Sequence, residues 1–373
     1  MLEIVEVKTR KQRKDFVNFP LKLYKKNPFF VPPLYADEMN LFKKNHLYSD
    51  QSKSVFYNAY LNKKMVGRIS GILQYASNAK WNQKRVRFTR FDSIDNQEVA
   101  NALFQAIEAF AKENQMSEVV GPLGYSDLER EGLLIEGFDE LSTFEEQYNY
   151  SYYQKLIESY GFIKEVDWFE RKLFYPKEID ERIEKISLRM LDKYGLQLAQ
   201  VKNTKELLKR YADKLFALLD STYTGLYQTV PCTPKVKKSL LKSFRLIINI
   251  KYAGIIVDSK DNVVGFGVCF PSIAKAIQKS KGHLTPLAIL RLLRAIHNPK
   301  IIDLALIGIS KEYQNKGING IILVQLLKML SNKTVEYAET NLNLEDNVNI
   351  QNQWKNFDNV LHKKRRSFIK KIG

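Results

Sequence analysis

Residues 313–320 read YQNKGING, between the apolar run IIDLALIGIS and the helix-like run IILVQLLKML. A strand, a tight basic turn and a helix start are what backbone N–H groups need to hold a phosphate. The helix dipole favours the negative charge, and glycine lets the anion approach closely. Lys316 adds a mobile cation. The familiar nucleotide loops do not match the spacing. A P-loop needs Lys-Ser or Lys-Thr after its second glycine, and none follows here. Gly317-Ile318-Asn319-Gly320 supplies only the last four positions of GxGxxG. A GxxG clamp for a nucleic-acid backbone lies between helices, whereas this turn follows a strand.

A turn of this kind works only on a rigid frame, and hydrophobic periodicity describes one. In the first half LEIVEVKT, SVFYNAYL, KMVGRISGIL, RVRFTRFDSI, SEVVGPL and VDWFERKLFY read as strands. RKQRKDFVNFPLKLYKK, with a break expected at Pro20, QEVANALFQAIEAFAKENQ and YSYYQKLIESYGF read as helices. The second half repeats that order: GLQLAQV, IKYAGIIVD, NVVGFGVCF, IIDLALIGIS, TVEYAETN and KRRSFIKKI as strands, with helices in TKELLKRYADKLFALLDSTY, INGIILVQLLKML and NIQNQWKNF. An insertion, IAKAIQKSKGHLTPLAILRLLRAIHNP, interrupts the second unit; its amphipathic stretch is expected to pack on a sheet. PKEIDERIEKISLRMLDK reads as a linking helix, so one α+β unit is used twice, over residues 1–175 and 190–373.

The chain of 373 residues has room for both units. Cys232 and Cys269 are too few for a disulfide framework and belong to no CxxC or Cys/His cluster, so no metal site is expected. MLEIVEVKTR has no apolar leader, and no apolar run approaches the ~18 residues that cross a bilayer; a cytoplasmic protein is expected. The net charge of +18 is uneven: residues 1–200 carry 30 Lys and Arg against 29 Asp and Glu, whereas 201–373 carry 29 against 12. That field favours an anionic partner: a phosphorylated cofactor, a nucleic acid or an acidic membrane surface.

With its strand and helix, the turn resembles the acyl-CoA-binding loop, Gln/Arg-x-x-Gly-x-Gly/Ala, of the GCN5-related N-acetyltransferases (GNAT). The resemblance implies two tandem GNAT-like domains, each a mixed, mostly antiparallel sheet flanked by helices. Gln314, Asn315, Lys316, Gly317, Ile318, Asn319 and Gly320 would hold the pyrophosphate of acyl-CoA or acetyl-CoA. Ile307, Gly308 and Ile309 would line the pantetheine arm where the strand splays, with Gly308 offering a place for a bulge. Asn347 matches an Asn that precedes the family's closing helix. Asn319 replaces the usual small residue, with Gly320 able to take over its work, and Trp354 replaces a tyrosine that often donates the final proton. The matching junction of the first half, FDSIDNQEVA, has no glycine and sets Asp92, Asp95 and Glu98 where phosphate would sit, so that half is expected to bind no cofactor.

LYKKNPFFVPPLYADE, MVGRISGI, VVGPLGYSDLEREGLLIEGFDE and HKKRRSF extend the resemblance to bacterial GNAT-like proteins of this length, a ceramide synthase branch among them. The activity implied is N-acyl transfer from CoA to an amine, acetyl transfer first, with a long-chain lipid amine as the alternative acceptor. A general base would be Glu339 or His362. Asn27 to Tyr35 could line an acceptor pocket, and Asp127, Glu129, Glu131, Asp139 and Glu140 could attract an amine. A small-molecule or lipid amine is therefore the expected partner, with peripheral membrane contact compatible and DNA not expected. The rival reading is a non-catalytic basic module for nucleic acid or anionic membrane.

Overall fold

The computed structural model describes residues 1–177 and 181–373. Its strands are β1 (Leu2–Glu6), β2 (Ser52–Leu61), β3 (Lys64–Gln74), β4 (Arg85–Ser93), β5 (Glu118–Gly121), β6 (Leu133–Glu136), β7 (Ile163–Phe174), β8 (Gln197–Leu198), β9 (Ala253–Val257), β10 (Val263–Pro271), β11 (Ile301–Ile309), β12 (Tyr337–Thr340), β13 (Asn343–Leu344) and β14 (Asp358–Lys371). The helices are α1 (Arg10–Leu23), α2 (Tyr35–Asn40), α3 (Tyr75–Trp81), α4 (Gln97–Glu113), α5 (Tyr152–Ser159), α6 (Glu181–Tyr194), α7 (Thr204–Tyr223), α8 (Pro234–Ile247), α9 (Ala274–Ser280), α10 (Pro286–His297), α11 (Asn319–Leu330) and α12 (Val348–Gln353). Residues 178–180, inside the expected linking helix, lie outside the described residues.

One sheet runs through both halves in the order β1-β2-β3-β4-β5-β14-β7-β12-β11-β10-β9-β8. Read from its two ends, it repeats: an antiparallel series, then one parallel pair, β4 with β5 and β11 with β12. At the centre the halves exchange strands. β5 pairs with β14, the last strand of the chain, and β12 pairs with β7, the last strand of the first half. β7 and β14 then pair with each other along nearly their whole length. Helical periodicity marks α4, whose Val99, Leu103, Phe104, Ile107 and Phe110 pack on Val66, Ile69 and Phe88 of the sheet. The counterpart α11 buries Leu323, Leu326, Leu327 and Leu330 beside Ile302 and Ala338.

Several local expectations give way to packing. α1 runs through Pro20, and Tyr24 N–H still bonds the Pro20 carbonyl at 2.9 Å. Proline lacks the N–H that would reach the Phe16 carbonyl, and Arg68 Nη1 takes that carbonyl at 3.1 Å instead, so no break results. The irregularity on β11 is not at Gly308. Val268 faces Leu306 and Cys269 faces Leu304, so Ala305 is the extra residue. Gly308 is small because a Cβ there would approach the Phe266 ring at 2.7 Å. α10 does not bury its apolar stripe: Ala288 alone is buried, and Leu287, Ile289, Leu290 and Leu293 are each about half exposed. β6 and α8 were not expected; β6 is a short strand within the acidic loop that pairs with β14.

Candidate active site

β11 and β12 stay parallel-paired only from Ile301↔Tyr337 to Leu304↔Thr340, and β11 then continues to Ile309 with β10 on one side and no strand on the other. The main-chain groups it turns toward the missing neighbour are met by side chains. Asn341 Nδ2 donates to the Ala305 carbonyl. Tyr223, the last residue of α7, donates to the Ile307 carbonyl at 3.0 Å and accepts from its N–H at 3.3 Å. Gln314 Nε2 donates to the Ile309 carbonyl at 3.0 Å. Three side chains thus stand where a neighbouring strand, or any extended molecule carrying amides, would bond. Burial pushes the Tyr223 phenol up to about 12, so it stays protonated at neutral pH.

At the end of this edge the chain turns through Asn315 and Gly317, both left-handed at φ 59° and 76°. A Cβ on Gly317 would meet nothing closer than Met190 Cγ at 3.6 Å, so its requirement is conformational. Gly320 is different: a Cβ there would come within 2.8 Å of Ser187 Oγ on α6, so it serves helix packing and not the turn. α11 begins with no side-chain cap. By contrast α1, α4, α7 and α10 are capped by Thr9, Asn96, Asn203 and Thr285. The Gly320 and Ile321 N–H groups turn back to the Gly317 and Ile318 carbonyls, each at 3.1 Å, a tight closure with which an incoming anion would compete. Gln314, Asn315 and Gly317 are exposed, and Lys316 Nζ lies over the Tyr194 ring at 5.1 Å. Asn347 caps α12, accepting from Ile350 N at 3.2 Å, and buried Trp354 donates to Asn343 Oδ1 at 2.7 Å.

The first half treats its equivalent junction otherwise. Asn96 caps α4 through Val99 N–H. Tyr152 and Tyr153 meet the Ser93 carbonyl and N–H at 2.7 and 3.0 Å. Asp92 is not at the turn at all; it is buried, bonded to Arg68 Nε at 2.7 Å and to the Tyr24 hydroxyl at 2.9 Å. Asp95 and Glu98 remain exposed at the helix start.

Between the halves lies a cavity of about 440 Å³. Ala305, Leu306, Asn341 and Tyr223 belong both to its wall and to the splayed edge. Phe30, Pro33 and Leu34 from the aromatic loop line it, as do Asp127, Glu129 and Glu131; Asp139 and Glu140 do not. Glu145 and Glu146, which no motif singled out, complete the acidic side, with Phe91, Phe144, Trp168, Leu226, Phe270 and Leu342 among the apolar walls. Glu131 and Glu146 are at least nine-tenths buried, and each keeps one carboxylate oxygen without a hydrogen-bond partner. Burial first, then neighbouring carboxylates, raises Glu131 well above the usual range. Burial also raises Glu146, against the pull of Arg365.

Glu339 and His362 come together behind this wall, and neither lines the cavity. Leu361 faces Arg171 and Lys363 faces Glu170, so His362 is an extra residue on β14, and its Nε2 reaches Glu339 Oε1 at 3.3 Å. Lys363 joins Glu339 to Glu170, the latter at 3.0 Å, and Arg365 Nε reaches Glu170 at 2.5 Å. Burial would raise Glu170, but Arg365 and Lys363 outweigh it and hold its pKa at about 2. Lys363, despite burial, is raised by Glu170 and Glu339 to about 12. Ligand atoms of Glu170, Glu339 and His362 lie within 4.8 Å of one another, and the Lys363 ammonium already supplies the cation between the two carboxylates.

No protein-family model matches the chain. Among characterised sequences, Protein YghO of Escherichia coli (strain K12) is 25% identical over 381 residues, covering 96% of this chain and 93% of its own. Bacterial ceramide synthase of Caulobacter vibrioides (strain NA1000 / CB15N) is 25% identical over 317 residues, covering 84% and 82%. Among solved structures, a tandem GNAT protein from the clavulanic acid biosynthesis pathway superposes with a TM-score of 0.58 at 10% identity, over 100% of this chain and 99% of that one. The chain thus has the tandem GNAT fold, with the last strand of each half completing the sheet of the other.

Proposed function

We propose that the protein is an acyl-CoA-dependent N-acyltransferase whose acceptor amine enters the cavity between the halves. The observation that carries this reading is the shared wall. Ala305, Leu306, Asn341 and Tyr223 belong both to the splayed edge, which fits an amide-bearing arm, and to a cavity with two buried carboxyls that each keep one oxygen without a hydrogen bond. The resemblance to GNAT enzymes and the likeness to a bacterial ceramide synthase support acyl transfer as the chemistry.

Acyl-CoA fits the residues present. The turn at Gln314 to Asn319 and the uncapped start of α11 would hold its pyrophosphate, and the Ala305–Ile309 edge its pantetheine arm. When bound, it supplies an activated thioester carbonyl. An entering ammonium displaces the protons that burial keeps on Glu131 and Glu146, and a carboxylate so formed, made more basic by burial, then accepts the proton that frees the nitrogen lone pair. The amine nitrogen bonds to the carbonyl carbon and the C–S bond breaks. Tyr223, which lines the cavity with its phenol protonated, would give the departing thiolate its proton in place of Trp354. Glu339 and His362 lie one layer back beside Lys363, whose charge Glu146 feels.

The apolar walls favour an acceptor with a hydrocarbon part over a small polar amine. Calorimetric titration with CoA and acyl-CoAs of increasing length tests the reading. Binding lost in Gly317→Asp, and transfer to amphiphilic amines lost in Glu131→Gln with Glu146→Gln, are expected. Failure to bind any acyl-CoA would end it.

A further inference from the structure

We infer that α10 is a docking helix for an anionic bilayer surface, a role that does not depend on the acyl-transfer reading. Five of the molecule's exposed large apolar side chains fall in ten residues: Leu284, Leu287, Ile289, Leu290 and Leu293, each between 47% and 56% exposed. Leu287, Leu290 and Leu293 recur every third residue, on the side of the helix away from buried Ala288. Such a stripe on a surface helix calls for an apolar partner.

Charge selects the partner. From Asn262 to Ile302 the chain has no acid and six bases, Lys275, Lys279, Lys281, Arg291, Arg294 and Lys300. All but Arg291 are exposed. Lys300 pairs with Glu336 at 3.8 Å; leucines flanked by the other lysines and arginines match a layer with phosphate headgroups above hydrocarbon, and long basic side chains can reach the headgroups while their stems lie along apolar chains. Duplex nucleic acid would use the charge but leave the leucines bare.

The helix is also held firmly. Thr285 caps it, Pro286 starts it, and Gly282 carbonyl accepts from Tyr35 N–H at 2.9 Å. Tyr35 stacks on His283 with ring centres 4.4 Å apart, and Gln278 donates to the carbonyls of Pro28 and Phe30. Its inner side, through Leu292, packs in the cluster of Val31, Ile277 and Phe144, and Phe144 is a wall of the cavity. Docking would thus set the cavity wall about one helix diameter, ~10 Å, from the lipid.

Co-sedimentation of the full chain with vesicles tests this. Phosphatidylcholine vesicles containing phosphatidylglycerol should capture the protein, pure phosphatidylcholine less so, and added salt should weaken the difference. The exposed triple variant Leu287→Gln, Leu290→Gln, Leu293→Gln should bind at least about tenfold more weakly with an unchanged melting curve. Lys279→Glu with Arg294→Glu should remove the preference for anionic vesicles. Wild-type binding to neither vesicle, equal binding by the leucine variant, or a wild-type dimer in sedimentation velocity that the leucine variant dissolves would each overturn the proposal. Retention on duplex DNA that the leucine variant leaves intact, in place of vesicle capture, would overturn it too.

Discussion

The Tyr223 phenol satisfies both main-chain groups of Ile307, on a strand edge with no strand beside it. With Asn341 on the Ala305 carbonyl, that hydroxyl covers the β11 edge beside the cavity. An incoming arm with its own amides would displace it and free the hydroxyl for the leaving group. Tyr223→Phe is expected to leave acyl-CoA affinity equal or higher, because a competitor for Ile307 is gone. Turnover should fall by about a hundredfold or more, the usual worth of a positioned proton donor. Steady-state kinetics separate the two; an unchanged kcat would remove Tyr223 from the chemistry.

Gly317 has the left-handed φ of 76° in open space, whereas Gly320 is pressed against Ser187. Gly317→Asp should therefore abolish CoA binding with a modest stability cost, about 1–2 kcal/mol for the backbone conformation. Gly320→Val should lower stability through the α6 contact. A melting curve and a CoA titration on each variant check the split, and a reversed pattern would reassign the two glycines.

Lys363 stands between Glu170 and Glu339 with no exposed side-chain surface. Lys363→Met leaves two buried carboxylates without their shared cation, which is expected to cost about 3–5 kcal/mol. Chemical denaturation measures this; a loss below about 1 kcal/mol would mean that the cluster is solvated in solution.

Folding is linked to pH in opposite directions at two places. Burial raises Glu131, Glu145 and Glu146, so over the window above the ordinary carboxylate range the folded state binds more protons and stability falls as pH rises. Glu170 is lowered from 4.5 to about 2, so its contribution is present above 4.5 and is lost as pH falls toward 2. Lys363, raised from 10.5 to about 12, contributes below 10.5 and loses that contribution as pH rises through 12. Just above the ordinary carboxylate range these raised carboxyls should therefore make the unfolding free energy decline as pH rises. A profile rising over that window would show that the cavity carboxyls are ionised. Binding of an amphiphilic amine should release protons, visible as a heat that depends on the buffer.

Much of the frame was legible because periodicity reports burial: every strand of the sheet's two repeated series has its own apolar pattern. The exchange of β7 and β14 was not, since alternation says that a strand is half-buried and not which strand lies beside it. The acids at 127, 129 and 131 announced an acidic loop, but Glu145 and Glu146 join them only because that loop folds back across the sheet. His362 reaches Glu339 through a local register shift that no side-chain pattern marks. Tyr223 read as the end of an amphipathic helix, and only the unpaired edge of β11 gives its hydroxyl a task.

Expressed separately, residues 1–177 should not fold, because β5 would lack β14, whereas co-expression with 178–373 should restore a soluble complex. Circular dichroism of the isolated fragment checks this, and a cooperative melt from it alone would count against the exchange.

The exchange also sets a clock on biosynthesis. The strand that completes the first half's sheet is made of residues 358–371, about 240 residues after β5 has emerged. At the usual ~5–20 residues per second, the first half waits tens of seconds with a bare sheet edge. It closes only once residues 358–371 have left the ribosome. A message cut short anywhere in its second half therefore yields two unfinished sheets and not one finished domain, and such products are natural substrates for chaperones and proteases.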